Sequence, residues 1–102
     1  MSRTETRPWD AVDHLKTPED ISAYLDAAFE VGDPAVVSAA LGDVARAKGM
    51  TDVAHAAGLG RASLYKSLSP GGRPEFATIL KVLRALGLKL TTVPGDTEHR
   101  TS

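Results

Sequence analysis

Apolar residues recur along this chain at three- and four-residue spacing, in blocks separated by glycine and proline. Ile21, Tyr24, Leu25, Ala28 and Phe29 follow that spacing, which places them on one face of a helix. Its start is marked by Thr17-Pro18-Glu19-Asp20. Thr17 can cap free backbone N–H groups, Pro18 suits the first helical position, and the two acids complement the positive end of the dipole. Gly32 ends it. Asp33 and Pro34 open a second helix in the same way, with Val37, Ala40, Leu41 and Val44 as its stripe and Gly49 as its stop after Arg46 and Lys48. Gly42, inside this helix, costs up to about 1 kcal/mol relative to Ala, so a close helix contact is expected there.

Shorter elements follow. A third helix is predicted over residues 51–57 with Thr51 as cap, a break at Gly58-Leu59-Gly60, and a fourth helix over residues 61–68. Ser69-Pro70-Gly71-Gly72-Arg73-Pro74 reads as a loop. A fifth helix then carries Phe76, Ile79, Leu80 and Leu83 on one face and stops at Gly87. Residues 88–93 alternate weakly and read as a short strand before Pro94. The pattern predicts an all-α, five-helix bundle. The organisation expected is an N-terminal arm over residues 1–15, one helical domain over 16–93 and a disordered tail over 94–102.

Composition narrows the classes. With 102 residues the chain is long enough for one core. The five aromatic residues are Trp9, Tyr24, Tyr65, Phe29 and Phe76, so that core rests on aliphatic side chains. There is no cysteine, which excludes disulfides and thiolate chemistry. Neither a secretory leader nor a run of about 20 apolar residues is present, so a soluble, cytoplasmic protein without a membrane partner is expected. His14, His55 and His99 are scattered, Ser63 and Ser67 lie near no evident base, and Gly71-Gly72 lacks a lysine placed for a phosphate loop. No catalysis, metal or cofactor is expected.

The net charge of −1 hides a division. Residues 1–43 hold three basic against nine acidic side chains, a balance of −6, whereas residues 44–93 hold eight against two, a balance of +6. Such asymmetry suggests two jobs. The basic half can neutralise phosphates, and the acidic half is free to meet a basic protein.

The basic half contains MTDVAHAAGLGRASLYKSLS, residues 50–69. A helix-turn-helix crosses two short helices over a tight turn. It needs a small residue at the contact (Ala54), a residue tolerant of positive φ at the turn (Gly58), and apolar plugs, for which Val53, Ala57, Leu59 and Leu64 are placed. Spacing alone also fits two core helices of an unrelated bundle separated by Gly58. If the unit is a helix-turn-helix, its second helix enters the major groove N-terminus first. Arg61, Ala62, Ser63 and Lys66 are then the candidates for base contacts, Arg61 foremost because a guanidinium can bind guanine bidentately. Thr51, Gly60, Tyr65, Arg73 and Lys81 are the candidates for phosphate contacts. Each of the basic residues taken alone also fits a solvated surface charge.

The stretch GDVARAKGMTDVAHAAGLGRASLYKSLSPGGRPEFATILKVLRALGLKL, residues 42–90, resembles the addiction-module antidote proteins, HigA-like antitoxins with a helix-turn-helix of the lambda-repressor-like class. ALGDVARAKGMT, LYKSLSPGG and FATILKVLRALGL carry the resemblance, with Tyr24-Leu25 and the Gly32-Asp33-Pro34 junction upstream. It implies an antitoxin that neutralises a RelE-like toxin, forms a homodimer and represses its own operon by binding operator double-stranded DNA. It also implies toxin contacts on the acidic first helix, at Tyr24, Asp20, Asp26 and Glu30, because a toxin that grips RNA is basic. An ordinary solvated face fits the same acids. Leu88, Leu90 and Thr92 are expected to pair across the dimer. Gly60 departs from the family, where Ser commonly caps the recognition helix, and the smaller departure is Arg73, where Asn is frequent. A solitary regulator without a toxin, or an adaptor that no longer binds DNA, remains open.

Overall fold

The computed structural model describes residues 15–95. The arm and tail expected from sequence lie almost wholly outside these residues. Five helices are present among them: α1 (Pro18–Val31), α2 (Pro34–Lys48), α3 (Met50–Ala57), α4 (Arg61–Ser67) and α5 (Phe76–Ala85). The fold is all-α, with α1 packed on α2 and α3 packed on α2, α4 and α5.

Local chemistry sets the first two helices. The Asp20 N–H donates to Thr17 Oγ1 at 3.1 Å, while the Thr17 N–H donates to Asp20 Oδ2 at 3.2 Å. This reciprocal box satisfies two groups that a helix start leaves open. Gly32 then ends α1 at φ 77°, a left-handed turn that a side chain would strain. Asp33 caps α2 by accepting from the Ala35 N–H at 2.9 Å.

The core draws on every helix: Ile21 and Leu25 from α1, Leu41 and Val44 from α2, Val53 and Ala54 from α3, Leu64 from α4, and Val82 and Leu83 from α5. Each large aliphatic side chain here contributes about 1.5–3 kcal/mol by leaving water. The core also takes in Leu15, ahead of the α1 cap and the last residue of the arm expected from sequence.

Gly42 makes the expected close contact. A Cβ built on it would lie 2.5 Å from the backbone oxygen of Leu68. Here α2 meets the end of α4 with no room for a methyl group.

Three expectations are corrected. Thr51 does not cap α3. Gly49, at φ 104°, makes the whole turn out of α2, so the helix begins at the buried Met50 and Thr51 stands exposed in its first turn. The buried side of α5 is Val82, Leu83 and Leu86 with Ile79 partly covered, leaving Phe76 62% and Leu80 39% exposed. Packing against α3 chose a face rotated from the one that periodicity picked. Finally, residues 88–93 form no strand. The Leu88 N–H donates to the Leu83 carbonyl at 2.9 Å, behind Gly87 at φ 80°. The first residue of the alternation is thereby spent on closing α5, and no other strand is present among the described residues to pair with the rest.

Candidate nucleic-acid interface

The residues singled out in the basic half lie on α3, α4 and the segments around them. Between the two helices the chain turns through Gly58, at φ 72° and ψ 31°. The Gly58 N–H donates to the His55 carbonyl at 3.1 Å, and the Leu59 N–H donates to the Ala54 carbonyl at 2.8 Å. This paired closure needs a left-handed residue where Gly58 stands. Ala54 is buried, so nothing larger than a methyl group occupies that position on α3. Leu59 is half-buried and packs against the core, as does Leu64, whereas Ala57 is only partly covered.

Helix α4 divides into two sides. Leu64 and Leu68 have 1% and 0% exposure and plug it into the core. Arg61, Ala62, Ser63, Tyr65 and Lys66 are all exposed. Ala62 and Lys66, four residues apart, face away from the buried pair, with Arg61 and Tyr65 stacked beside them. The sequence-predicted base-contact residues are therefore brought together on one short helix.

The N-terminus of α4 is open. Gly60 is its cap residue with extended backbone (φ −71°, ψ 139°) and supplies no side-chain hydrogen bond. An added Cβ at Gly60 would meet nothing closer than Ser63 Oγ at 3.9 Å, so a serine fits there. Among the predicted phosphate contacts, Thr51 is exposed in the first turn of α3, Arg73 lies on the loop after α4, and Lys81 lies exposed on α5. Only Tyr65 and Gly60 belong to α4 and its cap.

The far end of α4 is held by three contacts. The buried Ser38 donates its hydroxyl to the Ser67 carbonyl at 3.4 Å, and Ser69 donates its own to the Lys66 carbonyl at 2.8 Å. Gly72 presses the following loop back onto this end, since a Cβ there would run into the carbonyls of Ser67 and Lys66. Ser38 was not picked out from sequence. Its signal was the pair of small residues Ser38 and Gly42 four apart, one turn along a single face of α2.

The acidic side is differently arranged. Asp26 and Glu30 are exposed on α1 beside Ser22 and Phe29, and they line a groove of about 540 Å³ closed on the other side by residues 88–95. Leu88, Leu90 and Thr92, expected at a dimer contact, thus share one groove with two of the expected toxin contacts. The other two lie elsewhere. Asp20 is engaged in the α1 capping box. Tyr24 packs toward α2 and donates its hydroxyl to Asp43 Oδ2 at 2.7 Å, and Arg46 pairs with Asp43 Oδ1 at 3.1 Å. Burial first, then the Asp43 hydrogen bond and charge, hold the Tyr24 phenol well above its ordinary value.

No described helix is long and apolar enough to cross a membrane. A protein of Haemophilus influenzae (strain ATCC 51907 / DSM 11121 / KW20 / Rd), itself uncharacterized, is 40% identical over 85 residues, covering 83% of this chain and 88% of that protein. No solved structure matches the chain. A family model described as "probable addiction module antidote protein" matches residues 5–94, which include the five helices of the described residues. An antidote implies a toxin as its general partner, and the chain belongs to this antidote family.

Proposed function

We propose that this chain is the antitoxin of a type II toxin–antitoxin module, a cytoplasmic homodimer that neutralises a RelE-like toxin and represses its own operon. In this reading α3 and α4 form a lambda-repressor-like helix-turn-helix, and α4 is the recognition helix. The observation that carries the DNA half is the division of α4. Two fully buried leucines fix it to the core while Arg61, Ala62, Ser63, Tyr65 and Lys66 stand exposed together. A cationic, solvent-facing helix on a rigid seat is what reading of base edges requires.

The toxin half is supported by family membership and by the groove along α1, whose charged lining of Asp26, Glu30 and Lys89 is net negative and is interleaved with apolar Phe29, Leu90 and Val93. Acidic side chains at the rim steer a basic partner, and the apolar floor holds it.

The test is a band shift on the promoter region upstream of the gene, with unrelated DNA as competitor. Specific retention is expected, weakened by Arg61→Ala and by Lys66→Ala with unchanged helicity. Retention unaltered by both substitutions overturns the assignment of α4. Loss of all retention in the parent chain leaves an adaptor that acts on protein alone.

A further inference from the structure

A second groove, of about 790 Å³, lies where the end of α1 and the start of α2 meet the loop after α4 and the start of α5. Its apolar lining includes Phe29, Phe76, Ile79 and Leu90. Two of the chain's five aromatic residues are therefore kept partly in water, Phe76 most of all. Exposed aromatic surface gathered around a concavity marks an interaction site.

We propose that this groove is where two copies of the chain associate through a two-fold contact. The inference deepens the homodimer part of the reading above and rests on it only there. Charge selects the occupant. Asp33 and Arg73 are the titratable side chains that line the groove, one of each sign. Asp33 uses Oδ1 for the Ala35 N–H, and Oδ2 takes no hydrogen bond within the described residues. Arg73 forms no ion pair among them. In a two-fold contact residue i meets j and j meets i, so Arg73 of each copy can meet Asp33 of the other, and the surface is its own complement. A basic toxin finds no net negative charge here and has the Asp26–Glu30 groove instead.

Position supports the same occupant. The loop of residues 69–74 leads directly from the end of α4, yet no α4 side chain lines the groove. A second copy seated there flanks α4 and leaves Ala62 and Lys66 open. A reader of two half-sites needs its two recognition helices adjacent and uncovered. Arg73, expected at a phosphate, is thereby assigned to the protein contact.

The experiment is sedimentation equilibrium of the full chain alone, without DNA or toxin. The parent chain is expected to be dimeric. Phe76→Glu places a charge in the apolar floor at an exposed site, and Arg73→Glu sets a second carboxylate against Asp33 of the other copy. Each should weaken the dimer by at least roughly 30-fold, the scale of losing one interface hot spot, with helicity kept. Val93→Glu, in the other groove, should leave it intact. A parent chain that is monomeric at about 100 µM overturns the proposal, as do variants at Phe76 and Arg73 that both stay dimeric. If Phe76→Glu keeps the dimer in sedimentation but, in a separate growth-rescue assay, no longer neutralises the toxin, the groove belongs to the toxin and the proposal falls. Dimerisation is read without DNA, so failure of operator binding in the parent dimer leaves this inference standing.

Discussion

The backbone oxygen of Leu68 occupies the space that a side chain on Gly42 would need, 2.5 Å from an ideal Cβ. Gly42→Ala should therefore destabilise the chain, although Ala is the better helix former by about 1 kcal/mol. The obstructing atom is backbone at the end of α4 and cannot rotate away, so overpacking of about 1–3 kcal/mol outweighs the propensity gain. Urea denaturation should show a lower midpoint with an unchanged slope. Because Leu68 is the last buried anchor of α4, operator affinity should fall too, though no DNA-facing group is removed.

Tyr24→Phe removes the hydroxyl that Asp43 accepts. A bond to a charged acceptor at a half-buried site contributes about 1 kcal/mol, and that is the expected loss near neutral pH. The dependence on pH follows from the raised phenol pKa. Below the ordinary value of 10.0 the contribution is complete, and above it the unfolded chain ionises while the folded chain does not, so stability drains away. The parent chain should thus lose stability steeply above about pH 10, and Tyr24→Phe less steeply. Thermal melts of both proteins across this range check the sign.

Gly60→Ser supplies the missing cap at the start of α4. The position has extended backbone and open space around the would-be Cβ. The expected gain is a few tenths of a kcal/mol, about the difference between Gly and Ser caps. A hydroxyl there is also available to a phosphate, so the band shift should tighten by more than the stability gain accounts for. An unchanged or weaker shift removes Gly60 from the DNA contact.

Replacing both Asp26 and Glu30 by lysine reverses the charge beside the groove along α1. Both side chains are exposed, so folding should be unaffected within about 0.5 kcal/mol. Toxin neutralisation in a growth-rescue assay should be lost while operator binding persists. Growth rescue equal to the parent's removes this groove from the toxin contact.

Much of the fold was legible because its signals are local. Thr17 with Pro18, and Asp33 with Pro34, define helix starts within four residues, and Gly32 and Gly58 mark turns that only a left-handed residue makes easily. The contact behind Gly42 was also readable, since a glycine inside a helix needs a reason. What failed was the choice between equivalent patterns. Both Phe76-Ile79-Leu80-Leu83 and Ile79-Val82-Leu83-Leu86 satisfy helical spacing, and only the packing of α3 decides which set is covered. Residues 88–93 alternate as a strand would, but strand formation depends on a partner that the alternation cannot reveal. The residues of α4 were legible as a group, whereas the shared groove of Asp26, Glu30 and residues 88–95 required knowing where the chain returns after α5.

The ion pair between Asp43 and Arg46 sits at the point in the chain where the balance of charge changes sign. Acidic α1 packs on one side of α2, and the basic α4 is seated through α3 and the Ser38–Gly42 stretch of α2. A molecule with a net charge of −1 is thus an electric dipole. Near a polyanion such a separation of charge gives little net pull but a turning moment, which in the function proposed above brings α4 forward before contact. Its encounter rate should therefore depend on ionic strength as a charged protein's would, fading once the screening length falls below about 10 Å.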